Sequence, residues 1–299
     1  MAICRKDAPE TVSWSKPEQS LHRRSYYSQL RPDGSVDNNA LEDLFSSFEA
    51  SWPNIVDTLA QRRPANVILN DLLGFVGFQR VRVPCFRDAI EQSLERSAQM
   101  RFDELRRGGL LPKPPDDFVD YIDSVHIAVD PHQSIHAMAR LLPRLGIIIE
   151  RFGYTILHNE TCIDFITSDN PVLYFDRSAY EILPYSAKAE MIGELLFPVS
   201  PRIMLHGQTS DRPRYRRKGL KHLTLKDTDR ISRYNQTVAM FAYEALVSRN
   251  ALSSAFSRRF ANFSPVLDPT FTGFDPENMQ MPPFVFGGRY KLAKYKNEF

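Results

Sequence analysis

The sequence predicts an α+β protein in which a helical N-terminal half packs on a small, mostly antiparallel sheet, followed by one late helix. Apolar residues recur at three- and four-residue steps as far as residue 149. Between 153 and 206 they fall instead into short or alternating runs parted by turn residues, and over 227–242 the helical period returns.

The first 38 residues are rich in Pro, Ser and charge, carry the turn signal Pro32-Asp33-Gly34, and read as a poorly ordered lead-in. A single domain is expected over 39–250. Its first helix runs from Asn39 to Ala60, with Leu41, Leu44, Phe45, Phe48, Trp52, Ile55, Val56 and Leu59 on one face and Asn38 or Asn39 as its cap. A second helix over 66–83 is apolar on nearly every side, which places it in the core, and Pro84 bounds it. Residues 86–107 read as a charged surface helix ended by Gly108-Gly109, and after a Pro-rich loop come helices at 116–129 and 132–149. Pro143 is expected to kink or split the last of these. The strands are expected at 153–158, 163–166, 172–175, 194–199 and 203–206, and 251–299 reads as an irregular extension.

At 299 residues, with 42% apolar and 25% charged side chains, the chain can bury a full core. Cys4, Cys85 and Cys162 form no CxxC pair, which argues against a disulfide scaffold or structural zinc and fits a reducing compartment, the cytoplasm. No run has the length of a signal peptide's apolar core or of a membrane span, so no membrane association is expected. The net charge of +2 gives no broad field for a polyanion. Walker loops, dinucleotide-binding glycine fingerprints, Gly-x-Ser-x-Gly elbows and EF-hand loops are absent from the sequence, and no cofactor is implied.

The segment that looks most like a site is Thr167-Ser168-Asp169-Asn170-Pro171, four small polar residues and a proline between two apolar runs. Turn chemistry alone accounts for such a stretch, because Ser, Asp and Asn bond back to the local backbone. The functional reading makes Asp169 a base or cation ligand and Thr167, Ser168 and Asn170 its orienting hydrogen-bond groups. Gln79 and Arg82 share a helix face just beyond the apolar segment, and Arg82 could hold a carboxylate bidentately, with Asp169 or Glu49 as partner. Glu42 and Glu49, seven apart, lie near one face of the first helix. His132 and His136 have metal-ligand spacing, but Gln133 replaces the Glu of a zinc-protease helix and no third ligand is at motif distance, so no metal is expected. The run 212–221, with Arg214, Tyr215, Arg216, Arg217 and Lys218 at its centre, could contact phosphates and stack on a base, or be a solvated loop.

Phe-Ile-Thr-Ser-Asp-Asn-Pro-Val at 165–172 resembles the hallmark of an uncharacterised group found in bacteria and fungi, the domain-of-unknown-function family four-two-three-eight. Glu42, Glu49, Gln79-x-x-Arg82-x-Pro84, Phe197-Pro198-Val199-Ser200-Pro201 and Asn235 are similar to the same family's pattern, and the resemblance covers about 25–250. Members typically open with a His-x-Val-Pro segment that nothing in Met1 to Leu30 matches. If that histidine belongs to an active site, the resemblance implies a divergent, truncated or inactive member.

Two functions stay open on the residues. In one the protein is a hydrolase acting on a phosphate-containing or nucleic-acid substrate, with Asp169 as base or ligand and Arg82 holding the anion. In the other it is a non-catalytic binding or interaction module in which the same residues lock the helix-to-sheet junction.

Overall fold

The chain begins with a strand where its composition suggests a loose lead-in. The structure, a computed structural model, describes residues 1–16, 29–30, 35–37, 46, 49–64, 68–113, 115, 117, 121, 125–178, 180–186, 192–274 and 280–289. Strand β1 (Ala2–Arg5) buries Ala2, Ile3 and Cys4 and pairs antiparallel with β2 (Val12–Trp14) on one side and with residues 245–248 on the other. A strand of four residues is too short to show a period of two, which is why composition dominated the reading. A second short ladder joins β3 (Gln29–Leu30) to β4 (Val36–Asp37).

Among the described residues four longer helices follow. Helix α1 (Trp52–Ala60) starts with a proline in its first turn, Pro53, where the missing N–H costs nothing; Asn38, Asn39 and Glu42 of the longer expected helix lie outside the described residues. Helix α2 (Leu69–Val81) runs through the core as its composition requires. Helix α3 (Pro84–Arg107) is not purely a surface helix, since Cys85, Phe86, Arg87, Asp88, Ala89, Ile90, Glu91 and Ser93 are buried. The buried charges there are paired: Arg87 Nε donates to Glu91 Oε1 at 3.0 Å and to Ser134 Oγ at 3.1 Å. Helix α4 (Pro131–Ile149) passes Pro143 without being split.

No helix occupies 125–130. The Ile127 N–H donates to Gln99 Oε1 at 3.0 Å and the Val129 N–H to Glu95 Oε1 at 3.5 Å, so α3 side chains hold this stretch, and Pro131 disfavours a helical residue before it.

The main sheet has the order β11-β5-β10-β9-β7-β8, from β5 (Gly153–Asn159), β7 (Leu173–Arg177), β8 (Ile182–Pro184), β9 (Ile192–Ser200), β10 (Ile203–Gln208) and β11 (Lys221–Leu225). Its pairings are antiparallel except β11 with β5; helix α5 (Arg212–Lys218) carries the chain from β10 to β11. A Cβ on Gly153 would meet the Asp211 backbone at 2.4 Å, so only glycine lets β5 start beneath α5. The second sheet runs β2-β1-β12-β6, with β6 (Thr167–Ser168) and β12 (Ala245–Ser248) antiparallel. Helix α6 (Thr228–Phe241), capped by the Asp227 carboxylate on the Asp229 and Arg230 N–H groups, precedes β12. One core joins the helices to the main sheet, and in it Trp52 of α1 stacks on Phe75 of α2 at 4.1 Å and meets Phe197 of β9 edge-on at 5.8 Å.

Two further expectations are corrected. The strand read at 163–166 begins only at Thr167, because one side chain replaces the missing neighbour: Asn235 Oδ1 accepts the Ile166 N–H at 3.1 Å and Asn235 Nδ2 donates to the Asp164 carbonyl at 2.8 Å. Beyond residue 250 the described residues include regular structure, since α7 (Ser254–Arg259) is capped by Ser253 and β13 (Ser264–Leu267) pairs with β14 (Phe284–Gly287).

Candidate functional site

The Thr167–Asn170 turn ties β6 to the end of α6 and the start of β12. The Asp169 N–H donates to the Ala245 carbonyl at 3.2 Å, while its carboxylate accepts the Tyr243 N–H at Oδ1 (2.9 Å) and the Glu244 N–H at Oδ2 (2.7 Å). Asn170 Nδ2 donates to the Phe241 carbonyl at 2.7 Å and to Tyr185 Oη at 2.5 Å, and Ser168 Oγ accepts the Asn170 N–H at 3.2 Å. Phe241 is the last residue of α6, where carbonyls have no intrahelical partner, so Asn170 caps a helix C-terminus and Asp169 caps the turn that follows. Each polar group named here has a backbone task.

Around this turn lies a cluster of buried polar side chains. Burial and the nearby Glu244 carboxylate raise the Asp169 pKa to about 6 against the opposing pull of its three backbone bonds. Lys6, just past β1, is buried, and loss of hydration lowers its pKa to about 7 although Asp169 pulls the other way. Its Nζ donates to the Phe263 carbonyl and, at 3.3 Å, to Ser264 Oγ. Ser264 Oγ donates to the Tyr243 carbonyl at 3.0 Å, and Tyr243 Oη donates to Asp88 Oδ2 at 2.8 Å. Cys85 is pushed up to about 12 by burial, so its sulfur stays a thiol and is no nucleophile.

Arg80 is the unusual member. It is 0% exposed, and none of Nε, Nη1 and Nη2 meets a partner at full hydrogen-bond geometry, although the Tyr174 hydroxyl lies close enough to interact with it. The guanidinium carbon sits 3.5 Å from the centre of the Tyr185 ring, 4.8 Å from that of Phe86 and 5.3 Å from that of Phe284. Those faces attract the charge but give its N–H groups no oxygen acceptor. Two orphaned groups share its surroundings: Tyr174 Oη, whose pKa burial raises and the Arg80 charge restrains, and Oδ1 of Asn170, the residue bonded to Tyr185.

Several residues expected at the site lie elsewhere. Arg82 pairs with Glu49, each more than a quarter exposed, and Asp169 takes its bonds from backbone, so the proposed Arg82–Asp169 partnership is not formed. Arg80 and Arg82 are two apart on a helix and so point to opposite sides. Gln79 is half-buried on the same helix. In the basic run, Arg214 is fixed by two bonds of 2.7 Å to Asp211 and one of 3.2 Å to the Tyr154 carbonyl, and Tyr215 packs edge-on against Tyr154. Only Arg216, Arg217 and Lys218 of the five stand in solvent. His136 is exposed, the His132 side chain is outside the described residues, and among the described residues no three metal-ligating side chains converge.

Arg80 did leave a trace in the sequence. Leu72, Val76 and Arg80 follow one another at four-residue steps and are all buried, so a charge occupies the next position of a core stripe. Lys6, Tyr243 and Asp88 left none, because their meeting depends on β1 joining the second sheet.

The sequence profile of a family described as Protein of unknown function (DUF4238) matches residues 3–251. The match takes in β1 and β2 at one end and β12 at the other. No curated protein and no solved structure matches the chain.

Proposed function

Because the chain belongs to the DUF4238 family, whose description names no reaction, we propose a function from the geometry itself: it binds a small ligand through an anionic group, a phosphate or carboxylate, seated on Arg80. The observation that carries this reading is the buried guanidinium with no carboxylate partner and no hydrogen bond of full geometry, the Tyr174 hydroxyl being its polar neighbour. Removing such a charge from water costs several kcal/mol, on the order of what only a hydrogen-bonded counter-charge restores. A forked guanidinium fits two oxygens of one anion. Tyr174 Oη can donate to the same anion, and Asn170 Oδ1, an acceptor without a donor, suits a ligand hydroxyl beside it. In this reading the Thr167–Asn170 turn is the clamp that presents Asn170, and Asp169 is a positioning residue.

The test is thermal unfolding of the full chain in rising concentrations of inorganic phosphate, of a sugar phosphate and of sodium chloride at equal ionic strength. The reading expects a saturable rise in Tm with the phosphates that chloride does not reproduce. Equal responses to all three would defeat it.

Hydrolysis of that ligand is a second reading, favoured by the buried Lys6 near Asp169, where burial lowers the amine to about 7 and raises the carboxyl to about 6. Both oxygens of Asp169 are occupied, so Lys6 would move the proton and Asp169 would set its charge. Phosphate release that survives Lys6→Met would remove this reading. Nucleic-acid binding by Arg216, Arg217 and Lys218 would lack its stacking ring, since Tyr215 faces Tyr154.

A further inference from the structure

Away from the Asp169 clamp, α6 borders a two-part groove. One part, about 410 Å³, is lined by Arg177, Arg230 and Arg233, with Glu194, Tyr234 and Thr237 completing the wall. The other, about 580 Å³, shares Arg177, Ile182 and Met240 with it and is lined by Tyr180, Phe263, Phe284 and Phe286. A charged compartment thus opens directly into an aromatic one.

The charged part has three guanidinium groups against one carboxylate. Glu194 is already committed: it accepts from Arg177 Nε at 3.0 Å and faces His206 Nε2 at 3.4 Å. Burial would raise its pKa, but these two partners outweigh burial and lower it, so it stays ionised. Arg177 spends only Nε on that bond, and Arg230 spends only Nε on Tyr234 Oη at 3.2 Å. Arg233 is exposed. Three arginines therefore line a compartment that holds a single, satisfied acid, while Glu181 is the carboxylate that lines the aromatic part. In the second compartment Tyr180 is fully exposed and Phe263 is 44% exposed, so two large rings stand in water beside the buried Phe284. Exposed rings beside a cationic pocket offer stacking and charge to one ligand.

We infer that this groove binds a planar aromatic ring joined to a phosphate, as in a mononucleotide, with the phosphate on Arg177, Arg230 and Arg233 and the ring against Phe263 and Tyr180. Arg80 lines neither part of the groove, and Phe284, whose ring centre is 5.3 Å from its guanidinium carbon, lines the aromatic part.

Isothermal titration of the full chain with adenosine 5′-monophosphate tests this, with adenosine and inorganic phosphate as separate arms. The nucleotide binds saturably and more tightly than either fragment. Its Kd rises by at least about tenfold in Arg230→Ala/Arg233→Ala, the loss expected when charge-assisted bonds are removed. Arg233→Glu, at an exposed position, gives the same result should the double variant not fold. Phe263→Ala weakens the nucleotide and leaves phosphate unchanged. The inference is overturned if the nucleotide fails to bind at millimolar concentration, or if it binds wild type and the arginine variants alike. A loss of nucleotide affinity in Arg80→Met with none in the arginine variants would assign the nucleotide to Arg80 and sink the groove.

Discussion

The side-chain amide of Asn170 caps the carbonyl of Phe241 at 2.7 Å, across 71 positions of sequence. That bond, with the two that Asp169 accepts from Tyr243 and Glu244, converts the end of α6 into the start of β12. The motif joins elements distant in sequence, and its first consequence is for stability.

Asp169→Asn replaces an acceptor of two N–H groups by one that can accept only at its single oxygen, leaving a buried donor facing a donor. The expected cost is about 1–3 kcal/mol. For a domain of this size each kcal/mol shifts Tm by about 2–4 °C. A variant melting within a degree of wild type would show that the clamp is not structural.

Asn235→Ala removes the donor and the acceptor that stand in for a strand beside Asp164 and Ile166. It is expected to cost about 1–3 kcal/mol, because two backbone groups lose their partner. Hydrogen exchange should report it locally, with the Ile166 amide losing protection before the amides of β5. Unchanged protection at Ile166 would contradict the stand-in role.

Lys6 gives the stability a pH dependence of definite sign. Its folded pKa, about 7, lies below the unfolded value of 10.5, so the unfolded chain holds more protons between those values and stability rises with pH across that window. Below pH 7 the cost of charging the buried amine is fully present. Denaturant titrations of wild type and Lys6→Met at pH 7 and pH 9.5 measure this: wild type should gain stability relative to Lys6→Met as pH rises, and a constant difference would refute the assignment.

The coupling between Arg82 and Glu49 should be worth less than about 1 kcal/mol, because the pair is solvent-screened on both sides. A double-mutant cycle of Arg82→Ala and Glu49→Ala measures it, and a coupling well above that value would refute the screening.

How much of this was legible beforehand depends on range in sequence. Helix α6 and its Asp227 cap, the apolar α2 and the α+β architecture follow from local period and capping chemistry. The Thr167–Asn170 turn was found because its residue types are unusual, although its partners, Phe241, Tyr243 and Glu244, could not be. Pairings such as Ala2 with Ser248 or Ser264 with Gly287 leave no local signal. In sequence Arg82 stands out because it shares a helix face with Gln79 just beyond an apolar run, where a charge is costly unless paired. The structure puts the ordinary surface pair there and the unpaired charge two residues earlier, in the core.

The central claim, that Arg80 is held for an anion and not for the fold, is tested most directly by thermal unfolding of Arg80→Met with and without inorganic phosphate. Replacing a buried charge that lacks a carboxylate partner by an apolar side chain of similar length is neutral or stabilising in the absence of ligand. The account therefore predicts that Arg80→Met melts at or above wild type in phosphate-free buffer, and that the phosphate-dependent rise in Tm seen for wild type disappears. An Arg80→Met protein that melts well below wild type, with a phosphate response equal to that of wild type, would contradict it.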